Sequence, residues 1–204
     1  MFDDADIMEA HGKERVSHFH AVRFYDNEMS LCRIVAGFLR EGLATGQPAL
    51  VIATRSHAQG IVAELRAKEL DVVALAASND LVIVDVVDAL ASFMIDGQPD
   101  SEKFLKTANA VLDRMRRGRK RIAIRAYGEM VDVLWKEGRD VAAIQLEVLW
   151  NRFARATDFS LMCAYAAESF VENVGVKDVC RQHTHVVDAD GMARVSNVDT
   201  LLVD

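Results

Sequence analysis

The sequence predicts a three-layer α/β/α domain with a mainly parallel sheet. Apolar strand-like runs at residues 18–25, 49–54, 81–85, 121–127 and 159–165 alternate with segments of helical periodicity. Such alternation points to βαβ units and a sheet covered on both faces. The 204 residues are 51% hydrophobic, enough for one real core and too few for two.

The elements follow in order. Residues 1–16 are polar and aperiodic and read as a mobile leader. After the first strand, Leu31, Val35, Phe38 and Leu39 form one helical stripe, which Gly42 and Gly46 close. Asp26 is the expected N-cap of this helix. The second strand leads to a helix that Ser56 and Gln59 would open as a capping box, with Ile61 and Leu65 facing inward. Pro99 and Asp100 start another helix, with Phe104, Ala108, Val111 and Met115 on one side and Gly118 as terminator. Helices around 130–136 and 141–153 complete the wrapping. Residues 188–204, with an Asp190-Gly191 turn, make a terminal hairpin or tail, which leaves 17–187 as the domain proper.

Charge and cysteine usage narrow the function classes. Against 31 acidic residues stand 24 basic ones, a formal charge of -7, which disfavours general binding to nucleic acid or to an anionic membrane. The basic block at 114–121, RMRRGRKR, sits at a helix C-terminus, where it complements the helix dipole. Three separated cysteines do not read as a disulfide framework, and the charged N-terminus lacks a signal-peptide core, so a cytoplasmic location is expected.

Between the first strand and its helix, an ATPase of this architecture would carry a glycine-rich loop with a lysine. Here the joint is Asp26-Asn27-Glu28. Two carboxylates at the helix start oppose a polyphosphate, and a capping side chain occupies the backbone donors a phosphate would need.

The run VAGFLREGLATGQPALVIATRS resembles the first helix and second strand of RecA/KaiC-like ATPases. More specifically, the blocks HFHAVRFYDNEMSL, ALVIATRSH, FMIDGQPDSEKF, IRAYGEMVDVLWKEG, AIQLEVLWN, FSLMCAY and VCRQHTHVV resemble, in order, the MEDS family, the methanogen/methylotroph and dichloromethane-regulator sensory domain. The resemblance implies a RecA/KaiC-like fold without a phosphate-binding loop, used as a sensory input module in prokaryotic signalling. It also implies a small-molecule ligand, hydrocarbon derivatives among the possibilities, and a separate signalling protein as partner, a histidine kinase or a transcriptional regulator. A homo-oligomer is left open.

The strand ends offer the candidate pocket: Tyr25, Thr54, Arg55, Arg125, Tyr127, Glu129, Cys163 and Tyr165. Aromatic walls with an Arg and a Glu for orientation suit a small molecule. Packing tyrosines and an Arg125–Glu129 bridge are the plainer alternative. Trp135, near Glu129, and Trp150, near Glu147, could hold a cationic or apolar ligand, although Leu146, Leu149, Trp150 and Phe153 also read as a core stripe. Cys180, His183 and His185 form a C-x2-H-x-H group that Cys163 could approach, a set of donors zinc accepts. Its spacing matches no familiar finger, and a core histidine or a pH-responsive pair competes with it, so neither metal nor cofactor is expected. Catalysis through Cys163 and His183 lacks an oxyanion hole or an orienting third group, and the sequence favours a non-catalytic sensor over an enzyme or a ligand-free interaction module. The segment 93–100, with Gly97 and Pro99, is the expected lid.

Overall fold

The computed structural model describes residues 19–119, 122–170 and 175–195. The expected leader 1–16 and residues 196–204 lie outside them. Six parallel strands and one antiparallel strand form a single sheet. In chain order these are β1 (His20–Tyr25), β2 (Ala49–Ala53), β3 (Leu81–Asp85), β6 (Ile124–Gly128), β7 (Phe159–Ala166), β8 (His185–Val187) and β9 (Ala193–Val195). Across the sheet the order is β3-β2-β6-β7-β1-β8-β9, and β4 (Met94–Ile95) pairs with β5 (Gln98–Pro99) as a separate small hairpin.

Helices α1 (Glu28–Ala44), α2 (Arg55–Ala67) and α3 (Val72–Ala77) bury Leu31, Val35, Leu39, Ile61, Leu65 and Val72 against one face. On the other face lie α4 (Val86–Phe93), α5 (Ser101–Arg116), α6 (Met130–Lys136) and α7 (Asp140–Ala156), with α8 (Val176–Arg181) adding Val179. The strands supply both cores by alternation. Ile124 and Ala126 go to one face and Tyr127 to the other. All five residues of β2 are buried, as a central parallel strand requires.

Two caps differ from expectation. Asn27, not Asp26, caps α1, its side chain accepting from the Ser30 N–H at 2.9 Å. Thr54, not Ser56, caps α2 by accepting from the His57 N–H, so the helix opens two residues earlier than a Ser56–Gln59 box would allow. In each case the competing residues lie within two positions of each other and both carry a capping oxygen. Asp100 caps α5 as expected, and the helix ends on Arg117 in the left-handed region, followed by Gly118. The described part of the basic block, 114–119, is held structurally, since Arg117 and Arg119 both reach Asp80 at 2.9 Å and Arg114 donates to Asn79. Strands β8 and β9 pair as a hairpin whose first strand precedes residue 188, and Asp188 organises the turn by accepting from Asp190 and Met192 N–H groups.

Candidate functional site

Neighbouring strands β2 and β6 send their following helices to opposite faces, which opens the sheet at their carboxyl ends. Glu129, directly after β6, fills that position and is 1% exposed. It accepts hydrogen bonds from the Thr54 N–H, from His57 Nδ1 at 2.6 Å and from the Tyr127 hydroxyl at 2.8 Å. Beside it the Tyr25 hydroxyl donates to Asp132 at 2.9 Å, Lys136 pairs with the same carboxylate at 2.9 Å, and the Ala166 N–H satisfies its other oxygen. Tyr25, Thr54, Tyr127 and Glu129 therefore come together as a hydrogen-bonded cluster. His57, Asp132 and Lys136 join them unannounced. The Tyr25 ring packs edge-on against His57 at 5.8 Å and lies under the Lys136 ammonium.

The Glu129 hydrogen bond raises the His57 pKa, against the opposing effect of burial. Burial pushes Glu129 upward, yet the His57 hydrogen bond and charge with the Thr54 donors leave it below the usual carboxylate range. An ionic His57–Glu129 pair results. His57 Nε2 is buried without a hydrogen bond and lies 3.8 Å from the exposed Glu28 carboxylate.

A second polar group is buried deeper. Glu147 on α7 accepts from the Tyr165 hydroxyl at 2.9 Å, and His20, Cys163 and His183 surround it at 3.2, 3.7 and 3.4 Å. Burial lowers His183 to about 4 and, reinforced by Glu147, holds the Cys163 thiol far above its normal value.

Several expected site residues go elsewhere. Arg125 does not bridge Glu129. It stands at the entry of β6, opposite Ala49, and binds Glu41, Gln47 and the Phe38 carbonyl, because the strand begins at Ile124 rather than 121. Cys180, His183 and His185 do not form one cluster. His183 joins Glu147, while His185 meets Thr184 and the Phe19 ring. Arg55 is exposed on a shallow groove with Ile83 and Asp85. Trp135 packs against Tyr165 and Phe170, and against Gly175, whose φ of 84° and contact with the indole both exclude a side chain. Trp150 belongs to the core, stacked on Phe159 and edge-on to Phe104.

Trp150 also lines an apolar cavity of about 200 Å³ between the sheet and α4, α5 and α7. Its walls include Ile52, Phe93, Phe104, Ala108, Met130 and Phe153, with Asp88, Ser92 and Thr107 as the polar members. Met130 follows Glu129 directly, and the Glu129 N–H donates to Ile52, so the cavity adjoins the strand-end cluster. The segment 93–100 borders it through Phe93 and folds back as the β4–β5 hairpin, held by Arg139 donating to the Gly97 carbonyl at 2.8 Å.

The family model of the methanogen/methylotroph, DcmR sensory domain matches residues 19–184. The chain belongs to the MEDS family. MEDS domains are sensory domains, so this chain has a sensory role in signalling. No curated protein gives a significant match. Within the described residues of this MEDS domain, no helix is long and apolar enough to cross a membrane.

Proposed function

We propose that this MEDS domain senses a small, mainly apolar molecule held in the cavity between the sheet and α4, α5 and α7. The carrying observation is the cavity itself, apolar on nearly all sides and joined through Ile52 and Met130 to the buried Glu129–His57 pair. A dry cavity of about 150 Å³ is already large enough for benzene, so about 200 Å³ suits a compact hydrocarbon derivative. Ser92, Thr107 and Asp88 would orient one polar substituent. Occupancy would bear on Met130 and shift the strand-end hydrogen bonds and the β4–β5 hairpin between two arrangements, which a downstream histidine kinase or transcriptional regulator reads. The size of that signal equals the ligand's differential affinity for the two arrangements.

The test is a thermal-shift series with benzene, chlorinated methanes and short alcohols on wild type and Ala108→Phe. Wild type is expected to be stabilised and the filled variant to respond at least about tenfold more weakly, at a ligand excess that follows the binding relation. No shift with any probe in wild type would overturn the assignment.

The reading is non-catalytic. Cys163 is buried and held as a thiol, which supports no nucleophilic role. We also propose that the fold is RecA/KaiC-like with its phosphate loop replaced. Asn27 caps α1, and Asp26 and Glu28 flank the place a triphosphate would take. Millimolar Mg-ATP is expected to leave the unfolding temperature unchanged. A dose-dependent rise that is lost on Asn27→Pro would refute the replaced-loop reading.

A further inference from the structure

We propose that His20, Glu147, Cys163 and His183 bind one divalent metal ion of the zinc type. The four ligand atoms lie within 4.8 Å of one another and come from β1, α7, β7 and the segment between α8 and β8. All four side chains are buried.

Hydrogen bonding fixes which atoms face the centre. His183 Nδ1 lies 2.7 Å from the Val179 carbonyl, which can only accept, so Nδ1 carries the proton and Nε2 a lone pair. The Asn151 amide donates to the Gln182 carbonyl at 2.6 Å, which turns its Oδ1 toward His20 Nδ1 at 3.0 Å. His20 is thereby set in the same tautomer. Both Nε2 lone pairs then point at the Glu147 carboxylate, acceptor against acceptor, and His183 Nε2 has no hydrogen bond. A cation between them resolves that opposition. Holding each ligating imidazole through its other nitrogen, and the carboxylate through Tyr165, is the outer-shell support that metal ligands use.

Four of the donor separations lie near what zinc needs. Zinc bonds of about 2.0–2.3 Å in a tetrahedron place donor atoms about 3.3–3.8 Å apart. Here His20 Nε2 is 3.2 Å from Glu147 Oε2 and 3.4 Å from Cys163 Sγ, Sγ is 3.7 Å from Oε2, and His183 Nε2 is 3.4 Å from Oε1. On binding, the Cys163 thiol releases its proton to solvent. Thiolate and carboxylate then balance the charge of the ion, so no net charge is buried. Nitrogen and sulfur donors with one oxygen favour zinc over magnesium or calcium. With four protein ligands the site is closed and ties the segment carrying His183 to the sheet.

The experiment uses the full chain, purified without chelator, with metal content measured by mass spectrometry. About one zinc per chain is expected. Stripped wild type titrated with Co²⁺ is expected to show thiolate-to-cobalt charge transfer and the visible bands of a tetrahedral ion. Cys163→Ser removes the charge-transfer band, Asn151→Ala weakens metal affinity about 10–100-fold, and His185→Asn changes neither. Because the decisive spectrum is read on wild type, a variant that fails to fold leaves the test intact. Absence of both retained metal and the charge-transfer band in wild type, or survival of that band in folded Cys163→Ser, would overturn the proposal. The readout is independent of any response to small apolar molecules.

Discussion

Replacing Phe104 with Ala is expected to lower the unfolding free energy by about 3–5 kcal/mol, the range for deleting a buried aromatic ring. Phe104 is 1% exposed and makes edge-on contacts with Phe93, Trp150 and Phe153 at 5.5, 4.8 and 6.1 Å. It also walls the apolar cavity, so truncation adds to a void that already exists rather than opening a separate one. The neighbours are rings with few alternative rotamers, which limits collapse into the space. Urea denaturation checks this through the midpoint at constant slope. A loss under about 1 kcal/mol would mean that α5 closes onto the sheet when the ring is gone, and the cavity is then softer than its aromatic lining implies.

Glu129→Ala is expected to cost about 3–5 kcal/mol and to invert the pH dependence of stability near neutrality. Removing the carboxylate strands the Thr54 N–H, His57 Nδ1 and the Tyr127 hydroxyl inside the protein. In wild type His57 is raised, so its stabilisation is complete below its unfolded pKa of about 6.5 and is lost as pH climbs through the higher folded value. Glu129 is lowered, so its share is present above about 4.3 and is lost as pH falls through the lower folded value. Wild type is therefore most stable between these limits. In the variant, Glu28 at 3.8 Å is too exposed to hold the charge on His57, while Lys136 opposes it, and burial drives His57 neutral. Between roughly pH 6 and pH 8.5, urea midpoints should fall for wild type and rise or stay level for Glu129→Ala. Parallel curves would remove the His57–Glu129 pair from the account.

Most of the framework is legible because its signals are local. A run such as 49–53 is apolar throughout and bounded by Pro48 and Thr54, so a buried parallel strand is the economical reading. Helix α6 falls at 130–136 as periodicity indicates. Helices α3 and α8, at six residues each, are too short to show a repeat. Of the strand-end group, Tyr25, Thr54, Tyr127 and Glu129 are visible because each stands next to a strand terminus. His57 and Asp132 are not. Each lies in the first turn of a helix, where a polar residue normally faces water, and only the meeting of β2 with β6 and of β1 with α6 buries them. His20 illustrates the same limit. Its imidazole meets Glu147 and Cys163 through pairing of β1 with β7, which no spacing along the chain encodes. Arg125 went astray for a smaller reason, a strand start displaced by a few residues, which moved its guanidinium to the opposite rim of the sheet.

The placement of β1 has a cost during synthesis. Its two hydrogen-bonding neighbours are β7 and β8, so the first strand of the sheet to leave the ribosome waits for some of the last. Until then the apolar segment 20–25 has an open edge on both sides, a template for pairing with another nascent chain. Closing so long a loop is entropically slow, and holdase chaperones should matter more for the yield of this protein than its native stability would suggest.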